Sequence, residues 1–331
     1  MSTHLIPVVN VVKEKHPNAD KLSVVKVDGW TVCIRTADWE GIDKGIYIPP
    51  DYVVDTTRAE FAWLNKPGHS PKHRVRVQKL RGVVSQGFLV PAPTDAVIGD
   101  NWMEKLGIER YEPEHHGQLT KGQATGGPSF IVPKYDVEDY NNRTNLLSEG
   151  EEVVITEKLH GCNGRFVFAD GKMFCGSRTE WKLEDPTNLW WRALKDNPWI
   201  EEVCRANPEH VLYGELLGVQ GGFPYGAKGN VPFRVFDVLY KSDFLPFDEA
   251  VLLVTLTNDC QTTDENRWVP LIYRGPLKVE DAKALAEGQT TVPNATHIRE
   301  GVVVQPVPDR IHPRYGRIKL KMVSNTYLEK S

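Results

Sequence analysis

Thr156-Glu157-Lys158-Leu159-His160-Gly161-Cys162-Asn163 is the stretch on which the reading of this chain turns. The run EEVVITEKL leading into it has strand composition, and the glycine marks a turn. A lysine at a strand end, followed by a glycine-bearing turn, puts an amine where the backbone can approach a phosphate closely. Taken alone, K-x-H-G is a weak pattern, because a lone lysine at a strand end is far more often a solvated charge than a nucleophile. The rest of the chain decides between the two.

Five further stretches follow in order. Cys175-Gly176-Ser177-Arg178-Thr179 closes the next strand, after a hairpin with Asp170-Gly171 at its tip. Tyr213-Gly214-Glu215-Leu216-Leu217-Gly218 sets a carboxylate inside an apolar strand. Phe233 to Tyr240, FRVFDVLY, offers Phe236 beside Asp237. Arg299-Glu300-Gly301-Val302-Val303-Val304 puts a second carboxylate directly before an apolar strand. Ile318-Lys319-Leu320-Lys321 carries two lysines at i and i+2, which point to one face. Carboxylates flanked by apolar strand residues are expensive to bury unpaired. Glu215 and Glu300 therefore call for a cation, either a neighbouring side chain or a metal.

The region around these stretches reads as α+β. HVLYGELLG, WVPLIYRG and RIKLKMVS are strand candidates. Asp185-Pro186 opens a helix over TNLWWRALKD with proline at its first position, and Asn197-Pro198 opens another over WIEEVCRAN. DAKALAEGQ is a third short helix. Trp181, Trp190, Trp191 and Trp199 have the spacing of core residues rather than of a base-stacking surface.

Upstream, residues 1 to about 100 are β-rich. LIPVVNVV, LSVVKV, WTVCIR and GIYIPP are short β-branched and aromatic runs, separated by turn clusters such as HPNAD and EGIDKG. That pattern suggests a small barrel. In RVRVQKLRG, Arg74 and Arg76 alternate with Val75 and Val77. Lys72, Arg74, Arg76, Lys79 and Arg81 place five cations in ten residues. On a barrel these could follow a phosphate backbone, and a solvated strand face is the equally weighted alternative. From about 102 to 130 the pattern weakens into a polar, Gly/Pro-rich connector. His115 and His116 there are adjacent, share no face and read as solvated loop rather than as metal ligands. The boundaries drawn are 1–115 for the first domain, 116–129 for a linker and 130–331 for the second.

Composition bounds the function. The 331 residues carry 40 Lys+Arg and 44 Asp+Glu, for a net charge of −4. Nucleic-acid binding by overall charge is excluded, so any such binding needs a local basic surface. No window is apolar enough to span a membrane, and the N-terminus does not read as a secretory signal. Five cysteines without a C-x-x-C pair argue against a zinc site or a disulfide framework. A reducing, cytoplasmic setting fits.

The six elements in this order resemble the covalent nucleotidyltransferases, the ATP-dependent ligases and mRNA capping enzymes. The likeness covers about the last 200 residues. His160 in K-x-H-G, with Asn163 five residues after the lysine, is similar to the RNA ligase branch, where DNA ligases and capping enzymes usually carry K-x-D-G. His16-Pro17-Asn18-Ala19-Asp20-Lys21-Leu22 resembles the turn of tRNA-binding OB-folds. An OB-like domain placed first resembles the Deinococcus and Naegleria type of ATP-dependent RNA ligase.

The resemblance implies an N-terminal OB-like β-barrel followed by a nucleotidyltransferase (ATP-grasp-like ligase) domain of antiparallel sheets with flanking helices. It implies that Lys158 attacks the α-phosphate of ATP to form lysyl-AMP, with Lys319 and Lys321 stabilising the charge at phosphorus. Glu215 would meet the ribose or a Mg²⁺ ion, Glu300 would belong to the metal shell, and Mn²⁺ is a possible substitute. Phe236 would stack on adenine and Glu157 would help read its edge. Arg178 would contact the ribose or the nucleic-acid end, and His160 and Asn163 would contact phosphate. The implied substrate is RNA, or a nicked duplex containing RNA, sealed by a monomer with no protein partner. Three alternatives stay open: a GTP-dependent capping-type guanylyltransferase, a DNA ligase, and a non-catalytic RNA-binding module.

Overall fold

The structure is a computed structural model that describes residues 5–66, 68–111, 122–256 and 263–330. His115, His116, Cys260 and the first part of the expected linker lie outside the described residues. The chain divides into two units. One comprises Ser2–Pro113 with Asp139–Asn145 and Asn325–Ser331, and the other Glu114–Glu138 with Leu146–Ser324.

The first unit is built from short strands whose β-branched residues alternate inward. Val25, Val27, Val32 and Ile34 pack with Trp30, Trp39, Tyr47 and Leu89 in one cluster. Ile6, Val8, Ile46, Ile48, Val54, Phe61 and Val75 fill a second. Leu22–Val27 and Trp30–Arg35 pair as a hairpin. Side chains extend the hydrogen bonding of Trp30–Arg35: the Cys33 N–H donates to Ser85 Oγ at 2.9 Å and the Thr31 N–H to Gln86 Oε1 at 3.2 Å. Val77–Leu80 and Val83–Gln86 form another hairpin around Arg81-Gly82, both at positive φ (47° and 92°). The HPNADKL turn is packed on this hairpin. His16, 1 % exposed, lies 3.2 Å from the Leu80 carbonyl, and Asn18 Nδ2 donates to the Arg81 carbonyl at 3.0 Å. In this chain the motif therefore fixes one turn against another.

The second unit holds two antiparallel sheets. The seven-stranded one runs Ala124–Thr125, Trp181–Lys182, Lys172–Gly176, Cys162–Ala169, His210–Leu216, Phe233–Tyr240 and Asp243–Phe244. The other has neighbouring strands Leu320–Val323, Gly301–Pro306, Glu152–Lys158 and Leu271–Pro276. Helices Leu189–Asp196, Trp199–Ala206 and Phe247–Thr255 pack on the large sheet around Phe166, Leu212, Phe233 and Val235. Trp190 is buried there, Trp191 and Trp199 are packed against the same core, and Trp181 belongs to a neighbouring cluster.

The helix expected to open at Pro186 begins three residues later. The Thr187 N–H and hydroxyl both donate to Asp185 Oδ1, which makes a turn, and Asn188 caps the helix by accepting from the Trp190 N–H. Helix Phe247–Thr255 was not anticipated, because FDEAVLLVT is apolar on most of its faces and has no glycine stop.

Candidate active site

Pairing register brings the first and fifth motifs together. Lys158 stands opposite Gly301 on the neighbouring strand, so Glu300 falls beside the lysine. Lys158 Nζ donates to Glu300 Oε1 at 2.5 Å, and His160 Nδ1 lies 3.3 Å from Glu300 Oε2. Burial alone would raise the Glu300 carboxyl; the Lys158 ammonium and the His160 ring outweigh it and hold the group at about 2.

The third motif enters from the other sheet. Asn163 is paired with Glu215, and Glu215 with Arg234, so the three share one face. Burial pushes Glu215 up to about 8, and the Glu300 charge adds to that, against Lys158 and Arg178. Glu300, Lys158 and Arg178 thus all lie within electrostatic reach of Glu215. The Asn163 side-chain oxygen is buried without a hydrogen-bond partner among the described residues.

Gly161 is required here by chain packing. A Cβ at Gly161 would sit 2.0 Å from the Leu216 carbonyl oxygen. The turn after the lysine is therefore pressed on the Glu215 strand, which explains the glycine without invoking a phosphate. Cys162 beside it is a packed thiol, with burial raising it to about 12.

The first lysine of the last motif, Lys319, is held by a carboxylate from the fourth. Ile318, Leu320 and Met322 are buried while Lys319 and Lys321 take the other face. Lys319 Nζ donates to Asp237 Oδ2 and to the Phe236 carbonyl, each at 2.9 Å. Asp237, 2 % exposed, also accepts from Arg317 at 2.7 Å and from the Tyr135 hydroxyl at 2.8 Å. Burial would raise Asp237, but Lys319 and Arg317 keep it below the ordinary carboxylate range. Burial and the nearby Arg317 lower the Lys319 amine, against Asp237. Phe236 is half-buried and packs on Tyr135, with ring centroids 4.7 Å apart.

The Glu157 carboxylate is engaged within the protein. Strand alternation turns it to the face opposite Lys158. There its carboxylate, 1 % exposed, accepts from Thr290 Oγ1 (2.5 Å), Thr291 Oγ1 (2.6 Å) and the Thr291 N–H (2.7 Å). The Glu157 side chain thereby ties the lysine strand to the Thr290–Thr291 segment.

Arg299, next to Glu300, is buried and donates to the Gln289 and Leu285 carbonyls. Asp237, Arg317, Tyr135, Thr290, Thr291 and Arg299 were missed as site-shaping residues. The signal available for Asp237 was an acidic residue in the middle of FRVFDVLY.

In the first unit the five cations separate into two groups. Lys72 pairs with Glu109 at 2.7 Å, and Arg74 pairs with Asp51 at 2.6 Å while lying over the Tyr111 ring at 3.8 Å. Arg76, Lys79 and Arg81 are exposed, with no ion pair among the described residues.

A metal would find two neighbouring carboxylates, Glu215 and Glu300, and among the described residues no larger cluster of His, Cys, Asp or Glu. That set fits Mg²⁺, which binds through one or two carboxylates plus water and phosphate oxygens.

Comparison with known proteins agrees with this geometry. Residues 5–92 match an OB-fold domain. A segment of 141 residues is 28 % identical to Protein Early 65 kDa of Autographa californica nuclear polyhedrosis virus, covering 38 % of this chain. The match spans about a quarter (24 %) of that viral protein. The structure resembles Naegleria gruberi RNA ligase with PPi at a TM-score of 0.80 and 26 % identity, covering 99 % of each chain. It resembles a variant of that ligase with ATP and Mn at 0.80 and 26 %, covering 98 % of each. The RNA ligase family profile matches residues 151–323, just over half the chain and all of the paired motifs above. With its Lys158–Glu300 site inside that span, the chain belongs to the RNA ligase family.

Proposed function

We propose that the protein is an ATP-dependent RNA ligase that joins a 3′-hydroxyl to a 5′-phosphate, at nicks in duplexes containing RNA, in three displacements at phosphorus. Lys158 Nζ attacks the α-phosphate of ATP; the P–N bond forms and pyrophosphate leaves. The 5′-phosphate of RNA then attacks lysyl-AMP, which frees the lysine and forms a 5′-5′ adenylylated end. The 3′-hydroxyl attacks that end, seals the strand and releases AMP. The observation that carries the reading is the contact between Lys158 and Glu300 at 2.5 Å, with Glu215 within electrostatic reach.

Each residue has a task in this scheme. The attacking amine must be neutral, so the Lys158–Glu300 ion pair opens as substrate enters. Lys319 and Lys321 stand on one face, ready to meet charge that develops on the phosphate oxygens. Asp237 and Arg317 hold Lys319 in place. Asn163 and Arg178 share the face of Glu215 or its field, and they suit phosphate and ribose. Phe236 supplies the ring for the base. Glu215 and Glu300 would hold the Mg²⁺ or Mn²⁺, which when bound neutralises charge on the phosphates. Naegleria RNA ligase structures with ATP or AMP and Mn support this choice of nucleotide and metal. The cations Arg76, Lys79 and Arg81 of the OB-fold unit would contact the RNA backbone.

The test is a covalent-label experiment. The protein, stripped of bound AMP, is incubated with Mg²⁺ and α-labelled ATP or GTP. Acid-stable label from ATP that maps to Lys158 is expected, and Lys158→Ala should abolish it. Label from GTP alone would indicate a guanylyltransferase. No label would leave an RNA-binding module. Sugar substitution on each side of a nick then separates RNA from DNA sealing.

A further inference from the structure

We propose that Gln220, Phe223 and Tyr225, on the loop 217–229 that follows the Glu215 strand, are positioning residues that hold the His160–Gly161 turn for adenylyl transfer to Lys158. The inference rests on the ligase reading above and goes beyond it, because none of the three belongs to the motifs that carry the family resemblance.

Side chains of one loop engage two consecutive residues of the catalytic turn. Gln220 Nε2 donates to the Gly161 carbonyl at 2.7 Å. The His160 N–H donates to the Tyr225 hydroxyl at 2.9 Å. Together with the bond from the Gly161 N–H to the Glu215 carboxylate, these two bonds help set where the backbone after Lys158 runs. The His160 ring is held as well. The Phe223 ring centroid lies 4.3 Å from that of His160, while Nδ1 faces Glu300. His297 completes the cluster, edge-on to Phe223 at 5.0 Å and to Tyr225 at 4.3 Å. Only Ile298 and Arg299 stand between His297 and Glu300. The loop therefore touches the lysine turn and also the segment that delivers the carboxylate.

The loop's backbone is constrained. Tyr225 has φ 45° and Lys228 φ 41°, in the left-handed region that bulky residues rarely adopt. Tyr225 is also 4 % exposed. Gly218, at φ 71°, closes the loop so tightly that a Cβ would lie 2.4 Å from Ala227 Cβ. The Ala227 N–H bonds the Pro224 carbonyl at 2.9 Å, and the Asn230 N–H bonds the Ala227 carbonyl at 2.8 Å. Strain of this kind persists only where the surroundings over-determine it, and it concentrates at functional sites. Here it presents a hydroxyl to the peptide two residues after the nucleophile.

The experiment uses the full chain and single-turnover formation of lysyl-AMP from α-labelled ATP, with Tm recorded for every variant. Tyr225→Phe keeps the ring and removes the acceptor; the adenylylation rate should fall about tenfold, the scale of one lost hydrogen bond, with little change in KM for ATP. Phe223→Leu should slow the wild-type background about as much, yet leave the residual rate of His160→Ala unchanged, because the ring it supports is gone. Phe223→Tyr should restore the rate, which separates ring support from misfolding. If the wild type takes up no label, the ligase reading fails. If it labels normally and Tyr225→Phe and Phe223→Leu label at the wild-type rate, the positioning role is overturned alone. Equal slowing by Phe223→Leu in the His160→Ala background would likewise make the ring purely structural.

Discussion

Lys158 and Glu300 are separated by 142 positions in the chain, yet their charged groups meet at 2.5 Å. The strand pairing of Lys158 with Gly301 makes the meeting unavoidable, since the carboxylate is the next residue along. Glu300→Gln should keep this geometry and remove the charge. Lysyl-AMP formation is expected to drop by about two orders of magnitude or more, the scale of losing a preorganised site charge. Stability should change little, because the Lys158 side chain is 27 % exposed and water can take over its solvation. Single-turnover labelling beside a thermal melt checks both.

Glu215 should oppose stability to activity. Its folded carboxyl sits at about 8, pushed up chiefly by burial. A raised folded value means that its contribution to stability is complete below the unfolded pKa of about 4.3 and is lost as pH rises through about 8. Glu215→Gln cannot ionise. At pH 8.5 it should melt a few degrees higher than the wild type while failing to adenylylate, and the difference in Tm should vanish near pH 4. A higher wild-type Tm at pH 8.5 would count against the buried acid.

Asp237 has the opposite sign. Lys319 and Arg317 hold it below the ordinary range in spite of burial. The stability it supplies is present above the unfolded value of about 3.9 and is lost as pH falls through the lower folded value. Asp237→Asn strands the largely buried Lys319 and Arg317, and denaturant unfolding at pH 7 should show a loss of about 3–5 kcal/mol. The gap between variant and wild type should narrow as the pH is taken from 5 towards 2.

The basic strand of the OB-fold unit should divide into two groups in salt titrations of RNA binding. Arg76, Lys79 and Arg81 are exposed, so each alanine replacement should lower the slope of log K against log salt by about 1. Lys72→Ala and Arg74→Ala should leave the slope nearly unchanged, because Glu109 and Asp51 already neutralise those charges. Equal effects at all five positions would refute the division.

Much of the catalytic half was legible because strand periodicity and motif order are local properties. The hairpin at Asp170-Gly171 forms with both residues at positive φ, and FRVFDVLY is a strand from Phe233 to Tyr240 as read. What escaped depends on partners far away in the chain. Nothing near Glu157 announces that Thr290 and Thr291 will occupy its carboxylate, 133 and 134 positions on. The glycine of K-x-H-G looked like room for a phosphate, and its tight neighbour is the Leu216 carbonyl. A charge count over Lys72–Arg81 is blind to Glu109 and Asp51, which come from elsewhere in the chain. Tyr225 and Gln220 lie in a Gly-rich stretch, outside the motifs and strand patterns read from the sequence.

The division of the chain carries a consequence for synthesis. Residues Asn325–Ser331 belong to the OB-fold unit, where Gln86 Nε2 donates to Asn325 Oδ1 at 2.9 Å. The barrel's own strands leave the ribosome early, but this segment follows only after the whole catalytic half has been translated. A nascent chain stalled anywhere in that half would hold its first unit one helix short. Completion of the OB-fold unit thereby waits on the synthesis of residues 146–324.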